Sequence, residues 1–293
     1  MTGALAVDLG GTNIRAAVFP RAPLGPDAVP ERRLHAAAPA SLDRFVTAIR
    51  ALLDETAVTA LGIAIPGLVE GATCRWAPNL SWLDGVDLES LFPGVRVSAA
   101  NDAQFSLLAE AAAGAARGTG NAILLAIGTG IGSGLMADGR IVRGVGGAAV
   151  SFGWACARHD EPGDLQHGWL ERQASGRALD RAAARLGLAS GAALVEAARA
   201  GNTDALAALE AAGEILGAAL AGAVALAGTE RIVIAGSVSA ALDLIGPALL
   251  GKLHAHLPPH LRSVALTPGA FGAHAALCGA AFAAHQHPIW GTP

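Results

Sequence analysis

The sequence has no tyrosine, only three cysteines among 293 residues, and only 15% charged side chains. Each shortage removes a class of reading. Cys74, Cys156 and Cys278 are odd in number and far apart, so no disulfide framework is implied. They fit a reducing, cytoplasmic setting and read as small buried hydrophobes. The net charge is -4 and no basic stripe is present, which argues against a nucleic-acid or anionic-membrane partner. The first residues run directly into a strand pattern, without the charged and apolar regions of a signal peptide. The apolar stretch Ile215–Gly228 falls short of the roughly 20 residues that a bilayer crossing needs, and reads as a buried helix. With few aromatics and abundant alanine, the helices are expected to pack closely on small residues.

What the chain has in place of these is glycine at regular intervals. Leu124–Leu135 is an apolar run broken by Gly128, Gly130, Gly132 and Gly134. It reads as a buried strand entering a turn where the backbone is left bare, so that successive N–H groups can cradle anionic oxygens. Thr129 adds a hydroxyl. The turn lacks the Lys-Ser/Thr pair of a P-loop. A second such turn, Val7-Asp-Leu-Gly-Gly-Thr-Asn-Ile-Arg15, lies near the amino terminus. Either alone is compatible with a tight hairpin. Together they predict two related lobes that bind phosphate.

Strand and helix alternate along the chain, which predicts an α/β layer with crossover connections. Leu5–Asp8 and Ile14–Phe19 read as antiparallel strands, and the proline-rich 20–30 as a loop. Ser41 caps a helix whose apolar positions are Leu42, Phe45, Ile49, Leu52 and Leu53. Leu61–Ile65 and Val95–Ala99 read as strands, and Asn101-Asp102 stands where the second gives way to a helix over about 103–116. Open α/β sheets place ligand groups at that position. Ile141–Arg143 is a further strand and 144–168 a loop. Helices cover much of 170–186, 191–200 and 203–228, with others near 241–256 and 273–286. Strands fall at Ile232–Ile234 and near 263–266.

Few residues stand out for chemistry. Asp8, beside Gly10, Gly11 and Thr12, would repel a bare phosphate, so its use is to orient a hydrated Mg2+ against a nucleotide. The competing reading is an Asx-type turn cap. Asp102 can accept the proton of an alcohol attacking a γ-phosphate, or can simply cap the following helix. Asn79 and Glu171 can hydrogen-bond a polyol or can be solvated polar residues. Cys156, His159 and His167 have irregular spacing for a metal site. His254, His256 and His260 read as an exposed helix face and loop.

Taken in order, Asp8–Arg15, Gly62–Gly67, Ala77–Trp82, Asn101-Asp102, Gly128–Gly132, Asp138–Arg140 and Ala235–Ser237 resemble the repressor/open-reading-frame/kinase (ROK) family of sugar kinases, over nearly the whole chain. The resemblance implies an actin-like ATPase (ribonuclease H-like) duplicated two-domain α/β fold. Residues 1–117, completed by a C-terminal helix at 273–287, would bind sugar and phosphate; residues 118–272 would bind nucleotide and dimerise. It implies ATP and Mg2+, a small-molecule sugar and a homodimer. Asp102 would be the base, with Asn79, Asn101, Glu171, Ser151 and Gly67 on the sugar side. Asp8, Gly10, Gly11, Thr12, Asn13, Arg15, Gly128, Thr129, Gly130, Gly236 and Ser237 would surround the nucleotide. The chain starts at the first phosphate strand, with no preceding helix-turn-helix, as the family's kinases do.

Two departures bear on the substrate. Val150-Ser-Phe-Gly-Trp154 puts Ser151 where the family has a sugar-gripping glutamate, and Trp154 where it has a histidine. The family's zinc-binding cysteine segment is replaced by Asp164–Trp169. No structural zinc is expected, and Trp154 and Trp169 would pack that region instead. The expected activity is phosphorylation of a hexose primary hydroxyl, with glucose as the default. The alternatives are another sugar (fructose, mannose or an amino sugar) and a sugar-binding regulator with weak turnover.

Overall fold

The computed structural model describes residues 3–23, 25–158, 160–161, 164 and 166–291. The first sheet is built from β1 (Ala4–Leu9), β2 (Asn13–Phe19), β3 (Arg32–Ala37), β4 (Ala60–Ile65) and β7 (Arg96–Asn101), in the order β3-β2-β1-β4-β7. β1, β4 and β7 are parallel, while β2 and β3 run antiparallel to their neighbours. β1 and β4 are buried along their whole length and carry uninterrupted apolar runs, as central strands must. α1 (Leu42–Thr56) follows β3. The Ser41 hydroxyl accepts from the Arg44 N–H at its start, and Phe45, Ile49, Leu52 and Leu53 face the core. A small hairpin, β5 (Leu68–Glu70) and β6 (Thr73–Trp76), and the short α2 (Leu88–Leu91) lie between β4 and β7.

α3 (Asp102–Ala113) leads out of β7 without a linking residue. β8 (Ala122–Ile127), β9 (Ile131–Ala137) and β10 (Arg140–Val142) begin a second five-stranded sheet. It is completed, after α4 (Trp169–Ala174), α5 (Gly176–Arg185), α6 (Gly191–Arg199) and α7 (Thr203–Ala227), by β11 (Arg231–Ala235) and β12 (Ala265–Pro268). Its order is β10-β9-β8-β11-β12, with β8, β11 and β12 parallel. α8 (Leu242–Ala255) precedes β12, and α9 (Ala275–Ala284) closes the chain. Compact packing divides the chain into Met1–Gly120 with Gly134–Val150 and Ala270–Pro293, and Asn121–Ser133 with Ser151–Gly269. The segment 134–150 therefore packs with the amino-terminal part, unlike the simple 1–117 and 118–272 division.

Close approach on small residues runs through both units. A Cβ at Gly279 of α9 would strike the Phe105 carbonyl of α3, and one at Gly62 of β4 would strike the Ala280 carbonyl. In the second unit Gly213 and Gly217 of α7 lie against the backbone of α8 in the same way. α7 is longer than the apolar stretch that announced it. By length and composition it is the one helix among the described residues that could cross a membrane, and here it packs on α8, α6 and α4.

Three local readings change. The edge strand β3 was not expected: its sequence, Arg-Arg-Leu-His-Ala-Ala, has no apolar alternation because nearly all of it is exposed. Cys74 and Cys278 are buried, but Cys156 is exposed, its thiol donating to the Arg158 carbonyl at 2.7 Å. Of the histidine group, His256 and His260 are exposed, while His254 is half-buried with Nε2 enclosed and unpartnered.

Candidate active site

In the first sheet the parallel register sets Asp8 beside Ala64 and Ile65 beside Asn101. The carboxyl ends of β1, β4 and β7 therefore bring Asp8, Gly67 and Asn101-Asp102 to one end of the sheet, the end where open α/β sheets bind ligands. Asn101 is the helix cap, so the competing reading of Asp102 as the cap does not hold. Its side-chain oxygen accepts from the Ala103 N–H at 2.9 Å, and its amide donates to the Gly67 carbonyl at 2.9 Å. Asp102 is the first residue of α3 and is half-buried, its Oδ1 also accepting from Ala103 at 2.8 Å. Burial and the charge of Asp8 push its carboxyl up to about 6, outweighing those hydrogen bonds. A carboxylate tuned so close to neutral pH is suited to take and release a proton.

Asp8 is buried and ion-paired with Arg15, whose guanidinium also donates to the Ala273 carbonyl at 2.6 Å. Burial raises the Asp8 carboxyl above its ordinary value although Arg15 pulls it the other way. Arg15 is thus held at Asp8. The turn between β1 and β2 is closed by the Gly10 N–H donating to the Asn13 carbonyl at 2.9 Å, leaving Gly11, Thr12 and Asn13 exposed. Asn79 lies against it: a Cβ on Gly11 would come within 2.8 Å of the Asn79 Cβ.

The second glycine turn is built alike within the other unit. The Gly128 N–H donates to the Gly130 carbonyl at 3.0 Å, and the Gly128 carbonyl accepts from Gly176 at 2.7 Å. Glu171, on α4, braces this turn by accepting from the Ile131 N–H at 3.1 Å, and a Cβ at Gly130 would collide with its carboxylate. A Cβ at Gly128 would meet nothing. Gly128 and Thr129 open onto a cavity of about 540 Å³ whose far wall includes Ser237, with Gly236 at φ 82° packed against the Ile127 carbonyl. Sequence reasoning missed the helical wall of this cavity, where Asp180, Glu196 and Arg199 stand, and also Arg177, which lines both this cavity and a second one holding Thr129 and Glu171. The only sequence signal for Arg177 was its place just after the Ser175-Gly176 helix start.

The region after β10 departs from expectation in one respect. Ser151 is exposed, and the Phe152 N–H donates to the Ser133 hydroxyl at 3.1 Å. Trp169 is buried, with its indole N–H donating to Glu161, but Trp154 is 47% exposed, and it is the backbone of Gly153 and Trp154 that lies against Gly168. Among the described residues no group of three His, Cys, Asp or Glu side chains is placed to hold a metal. His159, one of the weak metal candidates, lies outside the described residues.

Two five-stranded sheets, each with a glycine turn leading out of its first long strand, define a two-lobed α/β sugar-kinase fold of the actin-like ATPase type. The ROK family model matches residues 4–287, and the chain belongs to that family. It is 33% identical to a kanosamine kinase of Amycolatopsis mediterranei, over 77% of this chain and 76% of that protein. It is 30% identical to an N-acetylmannosamine kinase of Citrobacter koseri, over 96% and 98%. Among solved structures, a ROK family glucokinase from Streptomyces griseus in complex with glucose and AMPPNP superposes with a TM-score of 0.77 at 28% identity, covering 97% of this chain and 99% of that one. This chain is an ATP-dependent sugar kinase of the family.

Proposed function

We propose that the chain transfers the γ-phosphoryl group of ATP to the primary hydroxyl of a hexose or an amino sugar, with Asp102 as the base. The observation that carries this reading is Asp102 itself: half-buried at the start of α3, near a second carboxylate, and shifted to about 6. Its ionised carboxylate takes the hydroxyl proton as the sugar oxygen bonds to the γ-phosphorus. The bond to the bridging oxygen breaks, and ADP leaves with that electron pair. A helix cap alone would not require Asp102, because Asn101 already supplies one.

On the sugar side, Asn101 keeps one amide N–H beyond its bond to Gly67, and Asn79, Ser151 and Glu171 add polar groups. On the nucleotide side, the two glycine turns (Gly10, Gly11, Thr12 and Asn13; Gly128, Thr129 and Gly130) receive phosphates, Arg177 adds a positive charge, and Gly236 and Ser237 border the nucleoside. Asp8 fits Mg2+ held largely through water. A single buried carboxylate beside a phosphate turn is the usual protein share of such a site, and no three-ligand cage is needed. When bound, the ion neutralises charge on the phosphates.

Glucose loses its place as the default. The relatives named above carry three different sugars in their names, and none covers this chain at an identity that would single one out. The test is ADP release with Mg-ATP across a panel of hexoses and amino sugars, with calorimetry in parallel. One sugar with clearly higher kcat/KM is expected. Sugar binding with no ADP release under any Mg-ATP condition would instead support a binding-only regulator, a reading to which the exposed Ser151 and Trp154 lend some weight.

A further inference from the structure

A cavity of about 480 Å³ lies within the first unit, away from Asp8 and Asp102 along the first sheet. Its walls are the start of β7, the β10 strand with the residue after it, and the carboxyl-terminal segment beyond α9. Three arginines line it, Arg96, Arg140 and Arg143, with His287 also on the lining and Glu89 as the one acidic residue among the described lining residues. Among the described residues none of the three arginines is in an ion pair. Arg96 donates to the Ala284 carbonyl at 2.8 Å and so offsets the end of α9, but the Arg140 side chain has no hydrogen-bond or ion-pair partner among the described residues.

Arg143 is the built part of the site. Its guanidinium lies 4.2 Å from the ring centre of Trp290 and donates to the Trp290 carbonyl at 3.1 Å. The Trp290 ring is itself fixed against Phe105. This holds the fork in one orientation, so little freedom is lost when it binds a planar or tetrahedral anion. Partial burial lowers the Arg143 guanidinium from its ordinary value, the mark of a cation taken from water without a counter-ion.

We propose that this cavity binds a phosphate group, free or as a phosphate monoester, held by Arg140 and Arg143. Two arginines lining one cavity suit the several oxygens and double charge of a phosphate, and the single carboxylate of Glu89 does not balance the three arginines there. The volume exceeds what a bare phosphate fills, and Ser98 and Gln286 on its lining offer hydroxyl partners for a sugar body. The site is separate from the nucleotide turns and does not depend on the kinase reading.

The test is calorimetric titration with inorganic phosphate and, separately, with hexose 6-phosphate, at low ionic strength on protein whose nucleotide site is filled with Mg-AMPPNP. Saturable binding of at least one is expected, weakened about tenfold or more by Arg140→Gln. The Arg140 side chain has no partner among the described residues, so melting temperature and kcat should stay at wild-type values in that variant. Arg143→Lys, which keeps the charge but loses the fork, should weaken binding as well. Equal affinity for both anions identifies free phosphate as the ligand, and tighter hexose 6-phosphate binding that Arg140→Gln weakens identifies a sugar phosphate, since product held at the active site would be unaffected by that variant. No saturable binding of either anion, or binding unchanged in both variants, overturns the proposal.

Discussion

At the scale of single residues the reading turns on Asp102, and its two roles separate cleanly because Asn101 holds the helix cap. Asp102→Asn keeps the size and the hydrogen bond to Ala103 but removes the proton acceptor. Turnover with saturating sugar and Mg-ATP should fall by about 10²–10⁴-fold, with sugar affinity changed far less. The wild-type kcat/KM should show an acid limb near pH 6, where Asp102 becomes protonated. The stability effect has the opposite sense. The folded carboxyl lies at about 6 and the unfolded one near 3.8, so the folded state binds the extra proton between those values. Ionisation through that window costs stability as pH rises. The asparagine variant should therefore melt no lower than wild type at pH 7 and lose any advantage at pH 4. A folded variant with wild-type turnover would remove Asp102 as base. A buried carboxylate of another kind, Glu110, gives a stability prediction. It accepts from the Ala115 N–H at 2.8 Å and the Phe271 N–H at 3.0 Å, and is fully buried. Glu110→Ala should cost about 1–3 kcal/mol for each N–H left unpaired, read from denaturant melts.

At the scale of elements, the second glycine turn distinguishes a glycine kept for the ligand from one kept for the fold. Gly128 has open space where a Cβ would go, whereas Gly130 faces the Glu171 carboxylate. Gly128→Ala should leave the melting temperature near wild type and raise the KM for ATP, because the added methyl group enters only the space proposed for phosphate. Gly130→Ala should lower the melting temperature, since Glu171 must leave the Ile131 N–H to make room. Equal behaviour of the two variants in both measurements would mean that the turn is a structural hairpin. These turns were legible because glycine spacing beside an apolar run marks a turn without any tertiary information. The capping role of Asn101 was not, because Asn and Asp are nearly equal caps and only the backbone geometry at residue 101 decides between them. β3 was hidden for a different reason: an exposed edge strand leaves no apolar pattern to read.

At the scale of the whole molecule, the two-sheet architecture and the chemistry-bearing ends of β1 and β7 were readable from alternation and motif order, whereas the cavity walls were not. Arg177, Glu196 and Arg199 come together only through the packing of α5 and α6, and Arg96, Arg140 and Arg143 through chain segments far apart in sequence. The same distinction bears on metal content. Cys74 and Cys278 are buried in the first unit and Cys156 is exposed in the second, so the cysteines cannot supply a thiolate cluster. The segment before α4 is tied instead by side chains: Arg172 pairs with Asp164 at 3.2 Å, Arg158 with Asp160 at 3.1 Å and with Glu161 at 3.4 Å, and Gln173 donates to Glu161 at 3.2 Å. Exposed pairs of this kind add little stability each, and the buried Trp169 contributes the apolar part. A structural zinc site would couple metal binding to folding, so that a chelator would lower the melting temperature. The purified protein should carry no stoichiometric zinc by elemental analysis, and EDTA should leave its melting temperature unchanged in the absence of Mg-ATP. Close to one zinc per chain surviving mild chelation would show that residues outside these pairs hold a metal after all.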